Sequence, residues 1–337
     1  MGTTWVFGAT GLSGRAIARE LAVSGEDVVL VGRDADRLAA VASSLAVPVG
    51  TRVGSGHTEL VALIAAEKPA VVVNTVGPFA ATTAPLARAS LAAGSHYVDL
   101  ANELDPVRQL LALDHEARDR AVTLVTGAGF GVLATEALVI ELRGNRPAAA
   151  RARVAAMPTV DGLGSAVLAS VVDILAYGGR RYRDGQLVRT WLGSGHARIP
   201  IPDSPPTDVL AVPTGELHAA QQASGAGDVL AFSSEVPSGR LVRAVLPAAS
   251  MLLAAHPVRR TVQRMISRAR PTPPAKAGAE SWAYARLEWA DGTRRVAWLR
   301  TGEGYGFTAR VAAYTAKRLA DGSVAAGAYT PGLLFGA

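Results

Sequence analysis

The chain has 337 residues and a net charge of +6; 49% of its residues are hydrophobic, 18% are charged and none is cysteine. This supplies apolar material for a full core and argues against a disordered chain, and the lack of cysteine removes disulfides, thiolate metal sites and cysteine nucleophiles together. Only Lys68, Lys276 and Lys317 are lysines, so 31 of the 34 basic residues are arginine; no basic run interleaves with aromatics, and nucleic acid is not an expected partner.

Residues 3–7 read as a short buried strand, followed by a glycine-rich turn and an alanine-rich helix over 12–23. A second apolar run at 28–31, a helix over 34–45, a strand within 47–53, a helix over 59–67 and a strand at 70–74 follow. The pattern continues with a helix at 85–93, a strand at 96–100, a helix over 104–120 and a strand at 122–125. Short continuous apolar strands alternating with helices predict a parallel sheet covered on both faces, the doubly wound Rossmann arrangement. Beyond it the period changes. Strands are expected at 151–157 and 229–235, a helix at 165–176, a proline-rich loop over 199–213, an exposed link at 268–278 and antiparallel strands within 282–311. The fold class is therefore α/β: a Rossmann domain over 1–126, a second α+β domain for substrate and dimerisation over 127–307, and a C-terminal segment over 308–337 whose helix returns to the first domain. The first residues, Met1-Gly2-Thr3-Thr4-Trp5, carry no positive n-region, and the longest apolar stretch, 244–255, is short of the roughly 18 residues of a spanning helix. A soluble, cytoplasmic protein is expected.

Gly8-Ala9-Thr10-Gly11-Leu12-Ser13-Gly14 lies between the first strand and its helix. Gly8 permits a tight turn, Gly11 lets backbone approach a pyrophosphate, and Gly14 lets the helix pack close to the sheet. The helix start, with Thr10, Leu12 and Ser13, then offers N–H groups to phosphate. The second strand ends Val31-Gly32-Arg33-Asp34. Glycine stands where an NAD site usually carries an acid for the ribose hydroxyl, and the guanidinium of Arg33 suits a 2′-phosphate, so NADP(H) is the expected cofactor. Asp34 reads both as a neighbour of that phosphate and as an N-cap. Asn74, Val76, Gly77 and Pro78 end the fourth strand at the cofactor edge, and Gly129 and Phe130 follow the sixth, where small residues admit the nicotinamide ring.

These segments, with His96-Tyr97-Val98-Asp99-Leu100-Ala101-Asn102-Glu103, resemble the saccharopine dehydrogenase-like (saccharopine reductase-like) oxidoreductases, a group that includes trans-acting enoyl reductases. The resemblance covers 5–140 well and 308–335 loosely. It implies a Rossmann domain, a substrate domain inserted before the terminal helix, and hydride transfer from a nicotinamide. Two departures stand out: Gly131 replaces a frequent aspartate, and Ala134-Thr135-Glu136 replaces the common proline–serine/threonine–aspartate.

Reduction of a C=C, C=N or C=O bond needs a proton source beside the hydride acceptor. Tyr97 and Asp99 share a strand face near the carboxyl edge and are the catalytic candidates, with Asn102 and Glu103 just beyond and His96 before them. The tyrosine–lysine pattern of short-chain dehydrogenases is absent: Tyr177 is followed four residues later by Arg181, and Tyr314 lies three before Lys317. The six histidines are scattered, and no metal is expected. The stretch 241–269 is apolar first and then basic; it reads as an amphipathic helix packed on its own domain, or as a surface that meets a membrane, an acyl chain or a carrier. The combined expectation is an NADPH-dependent reductase, of enoyl or imine type, acting on a fairly apolar small-molecule or carrier-linked substrate. A non-catalytic NADP-binding sensor or scaffold is the alternative.

Overall fold

The structure is a computed structural model that describes residues 2–159, 165–267 and 280–337. In chain order the elements are β1 (Thr4–Phe7), α1 (Leu12–Val23), β2 (Val28–Gly32), α2 (Ala35–Ser43), β3 (Gly50–Val53), α3 (Gly56–Glu67), β4 (Val71–Asn74), α4 (Phe79–Ala93), β5 (His96–Asp99), α5 (Leu104–Leu111), α6 (Asp114–Asp119) and β6 (Thr123–Val125). Then come α7 (Phe130–Arg143), β7 (Arg151–Met157), α8 (Ser165–Tyr177), β8 (Gly179–Arg183), β9 (Gln186–Thr190), β10 (His196–Ile201), β11 (Ser204–Ala211), α9 (Gly215–Ser224), β12 (Asp228–Ser233), α10 (Arg240–Ala254) and α11 (His256–Ser267). The chain ends with β13 (Ser281–Glu288), β14 (Arg294–Thr301), α12 (Gly304–Ala320), β15 (Gly327–Tyr329) and α13 (Pro331–Phe335). They divide into two units: residues to Ala101 with Asp105–Gly129 and Tyr305–Leu334, and Asn102–Leu104 with Phe130–Gly304 and Phe335–Ala337.

The first unit is a seven-stranded sheet in the order β15-β6-β5-β4-β1-β2-β3, parallel throughout. Successive side chains on a strand face opposite ways, and the core sorts accordingly. Val6, Leu30, Val73 and Val98 pack with Ile17 and Leu21 of α1, Leu38 of α2 and the small residues Ala309, Ala312 and Ala316 of α12. Trp5, Phe7, Val31, Val72 and Tyr97 pack on the other face with Ile64 of α3 and Leu86 and Leu91 of α4. Both faces are thus covered, which is why the central strands β2 and β4 read as apolar runs. The helix expected over 104–120 is two helices, α5 and α6, broken at Ala112 and Leu113. The segment after α12 adds β15 to the sheet beside β6, an edge strand of only three residues that the sequence did not announce.

The second unit is built on a mixed sheet in the order β10-β11-β12-β7-β13-β14, with β8 on β12 and β9 on β8. Only β12 and β7 pair in parallel; the other pairings are antiparallel. Residues 199–213 were expected as a loop, but most of them form the β10–β11 hairpin. Its prolines sit where a sheet tolerates them. Pro200 lies at a register break between Ile199 and Ile201 on the edge strand, and Pro205 and Pro206 fall before the two residues of β11 that pair with β12. The link expected at 268–278 lies outside the described residues.

The tightest fit in the first unit is at Gly14. A Cβ there would run into the Gly8 carbonyl oxygen and reach 2.9 Å from the Ala9 Cα, both backbone atoms with no freedom to yield. Gly14→Ala is therefore expected to lower stability by roughly 2 kcal/mol through overpacking. An unchanged urea midpoint for that variant would rule out the close approach.

Candidate active site

In the sheet of the first unit the strand order reverses between β4 and β1, and ligands of such sheets bind outside the carboxyl ends at that switch. The β1–α1 turn lies there. Gly8 has φ +79°, the left-handed region, and a Cβ on it would meet Thr75 Oγ1 at 2.7 Å. Gly11 donates back to the Gly8 carbonyl at 2.9 Å and closes the turn. The first backbone bond inside α1 runs from Arg15 N to Gly11 O, so the N–H groups of Leu12 and Ser13 precede it without intrahelical partners. Gly11, the N-cap, brings no side chain to cover them. Thr10 and Ser13 are half-buried, and Leu12 is exposed.

Beside this turn, β2 ends at Gly32, where a Cβ would touch Leu38 at 3.3 Å and Thr10 at 3.6 Å. Arg33 is exposed just beyond it. Asp34 caps α2, its Oδ1 accepting from Arg37 N at 3.0 Å. The β4–α4 turn is held from within. Thr75 Oγ1 donates to Phe7 O at 2.7 Å, Thr82 Oγ1 donates to Val76 O at 2.6 Å, and the Gly77–Pro78 peptide is cis. Val76, Gly77 and Pro78 stay half-buried along this edge. Asn74 does not: its Nδ2 donates to Tyr97 Oη at 3.0 Å and Thr82 Oγ1 at 3.3 Å, and its Oδ1 accepts from Val76 N at 2.9 Å. Its amide is fully used in shaping the turn.

Tyr97 and Asp99 do share a face, with Tyr97 Oη donating to Asp99 Oδ2 at 3.0 Å, but both side chains are completely buried. Asp99 gathers five donors: Thr83 Oγ1 at 2.8 Å and Tyr97 on Oδ2, and Thr126 Oγ1 at 2.8 Å, Ala101 N at 3.1 Å and Gly127 N at 3.3 Å on Oδ1. Burial pushes its pKa up and these hydrogen bonds oppose the rise. Burial, then the Asp99 charge, pushes the Tyr97 phenol well above its usual value. His96 is half-buried and accepts from Thr123 N at 3.0 Å, so its ring ties β5 to the start of β6. A Cβ on half-buried Gly129 would touch Thr308 of α12 at 3.2 Å. Phe130 opens α7 in the second unit and is buried.

The second unit holds a carboxylate that the sequence reading missed. Glu216, in the first turn of α9, is buried, and burial pushes its pKa up to about 7. The Asn102 amide, oriented with its NH2 toward the carboxylate, donates to the two Glu216 oxygens at 2.8 and 3.3 Å. A Cβ at Gly131 would lie 2.5 Å from Glu216 Oε1 and 3.1 Å from Asn102. The carboxylate therefore fills the room that glycine leaves at the position where the family resemblance expects aspartate. Glu103, also buried, accepts from Ser170 Oγ at 2.7 Å and from Asn102 N at 3.1 Å, and burial raises its pKa as well. From sequence alone, Thr214-Gly215-Glu216 looks like an ordinary helix start, and nothing in it signals a buried acid.

A glycine cradle, a helix start with open N–H groups and a guanidinium beside an acid-free strand end are the features of a dinucleotide-binding Rossmann domain. Residues 4–125 match the saccharopine dehydrogenase NADP binding domain family, so the first unit carries an NADP-binding domain of the saccharopine dehydrogenase type. A putative trans-acting enoyl reductase of Mycobacterium tuberculosis is 34% identical over 145 residues, covering 41% of this chain and 34% of that protein. The trans-acting enoyl reductase of Mycobacterium leprae is 31% identical over 145 residues, with the same coverage. The match thus spans about a third of the length of these curated relatives. Among solved structures, apo saccharopine dehydrogenase (L-Glu forming) from Saccharomyces cerevisiae superposes with a TM-score of 0.60 at 13% identity, covering 98% of this chain and 94% of that one. Amine dehydrogenase from Mycobacterium smegmatis gives 0.51 at 14% identity over 99% and 96%. These likenesses show the fold.

Two outcomes are expected. Arg33→Ala raises the dissociation constant for NADPH roughly 10- to 100-fold, the worth of a charge-assisted phosphate contact, and leaves that for NADH within about threefold; equal losses in calorimetry would remove the assignment. Glu216 binds a proton more tightly folded than unfolded, so the fold loses stability as pH rises from about 4.5 to about 7. Glu216→Gln, which never ionises, is then more stable than the parent by roughly 3 kcal/mol at pH 8 and nearly equal at pH 4. Urea melts at the two pH values check this, and a constant difference would refute it.

Proposed function

We propose that the protein is an NADPH-dependent reductase, of enoyl or imine reductase type, that adds hydride to a C=C, C=N or C=O bond of a fairly apolar small-molecule or carrier-linked substrate. The observation that carries the reading is the backbone cradle of Gly8, Gly11 and Gly14, in which added Cβ atoms would crowd Thr75 and the Gly8 carbonyl. Its position ahead of a helix start suits a pyrophosphate. The names of the enoyl reductase relatives support the reaction class.

When bound, NADPH supplies the hydride. The residues of the chain bind and orient it. The N–H groups of Leu12 and Ser13, with the Thr10 and Ser13 hydroxyls, hold the pyrophosphate. Arg33 takes the 2′-phosphate, and Asp34 orders the start of α2 behind it. Val76, Gly77 and Pro78 form a firm wall, because Thr82 and Thr75 pin the turn on both sides. Gly129, beyond the end of β6, lets Thr308 of α12 pack close against the backbone there. Asn74, Tyr97 and Asp99, being sealed from solvent, act as positioning residues that clamp the ends of β4, β5 and β6 together. Glu216, buried in the second unit with its pKa pushed up to about 7, is a group able to give up or take a proton near neutral pH.

The test is NADPH oxidation by the purified chain, followed by absorbance against enoyl thioesters and cyclic imines. Sustained turnover of about 1 s⁻¹ or faster with one class is the expected result. Tight NADPH binding with no oxidation across both classes would replace the enzyme by a non-catalytic NADP sensor.

A further inference from the structure

In the second unit, α10 presents a face opposite in character to that of an ordinary surface helix. Its inward side holds Leu246, packed with Ile174, Leu192 and Leu210, and Ser250, whose hydroxyl donates to Leu175 O at 2.7 Å. Every exposed position from 241 to 255 is Leu, Val, Met or Ala. Leu241 is 85% exposed, Met251 70%, Leu252 64% and Val245 62%. A solvated helix puts polar residues on this side. The exposed side chains here offer water no hydrogen bond, and contiguous apolar surface of this kind marks an interaction site.

The charge around the face indicates what covers it. Residues 236–279 contain no Asp or Glu and eight basic residues, among them Arg240 and Arg243 in α10 and Arg259, Arg260 and Arg264 in α11. The chain turns by 106° between the two helices, so the apolar helix is followed at once by a strongly basic one. Asp173 of α8 pairs with Arg259 at 3.6 Å, but α10 and α11 themselves carry no carboxylate, so face-to-face pairing of two copies would bring Arg240, Arg243 and Arg260 of each toward one another. An anionic lipid surface takes both features: apolar side chains enter the boundary of the acyl region while arginines meet the headgroup phosphates. At 15 residues α10 is about 22 Å long, short of the roughly 30 Å hydrocarbon core, so it lies in the surface instead of crossing it.

We propose that the exposed face of α10, flanked by the arginines of α11, docks the protein on an anionic phospholipid bilayer. This goes beyond the reductase reading and does not depend on it.

The experiment is co-sedimentation of the full chain with phosphatidylcholine vesicles with and without about 30% phosphatidylglycerol, at about 0.1 M salt. Binding is expected to the anionic vesicles at least tenfold above that to the neutral ones, and to weaken several-fold at about 0.5 M salt. Leu241→Asp with Leu252→Asp abolishes it, and Arg240→Glu with Arg260→Glu weakens it roughly tenfold or more. All four residues are exposed, and an unchanged thermal melt and NADPH affinity show that each variant is folded. Light scattering finds the lipid-free parent monomeric. Three results would each overturn the proposal: no vesicle binding by the folded parent; binding indifferent to both pairs of substitutions; or a dimer that Leu241→Asp dissociates, which would make the covering partner a second copy.

Discussion

The backbone of α1 meets the end of β1 at a separation that only a hydrogen on Gly14 allows. That contact fixes the height of the helix over the sheet, and with it the place where the free N–H groups of Leu12 and Ser13 come to rest. Gly8, in its left-handed conformation, turns the chain there, and Thr75 beside it binds the Phe7 carbonyl, so the ends of β1 and β4 are set by one another. The nucleotide-facing edge is therefore made mostly of backbone held by backbone. Such a surface tolerates wide change in the helices behind it provided the glycines stay, because the binding groups are the same atoms in every residue.

Two buried carboxylates illustrate how satisfaction decides the role of an acid. Asp99 receives hydrogen bonds from a helix, two strand ends and two backbone amides, and joins α4, β5 and the β6 end at one point. Burial resists its charge, but five donors favour it, and replacing any of them would leave unpaired groups in a closed space. Glu216 is hydrogen-bonded by Thr214, a backbone N–H and the Asn102 amide, but these do not offset its desolvation, to which the charge of Glu235 adds, so its pKa is pushed up to about 7. The first arrangement is a rivet; the second is a proton store.

The doubly wound sheet was legible because its central strands β1, β2 and β4 are short, buried and mostly apolar and alternate with helices. The glycine turn was legible for the same local reason. The β10–β11 hairpin was not, since five prolines within 199–213 outweigh the strand signal of residues such as Ile199 and Val209 unless it is known that β10 lies at an edge. Tyr97 and Asp99 were placed on one strand face and Asn74 separately at the cofactor edge, but their enclosure was not foreseen: periodicity carries no information on whether Thr83 and Thr126 close over that face. Glu216 was invisible because its partner Asn102 and the vacancy at Gly131 lie more than 80 residues away in the chain.

The direction in which α10 faces is a limit of the same kind. An apolar helix with few polar residues carries no marker of its buried side; here the small hydroxyl of Ser250 turns inward to the Leu175 carbonyl near the end of α8, which also accepts from Gly178 N at 3.2 Å. Ser250 and Leu246 mark the buried side of the helix, and most of its larger side chains are left outside. Leaving them there costs little folding energy, since an exposed Leu is exposed in the unfolded chain too. The cost falls on solubility, and the arginines that follow in α11, with no acid among them, oppose association of like with like while leaving an anionic surface free to approach.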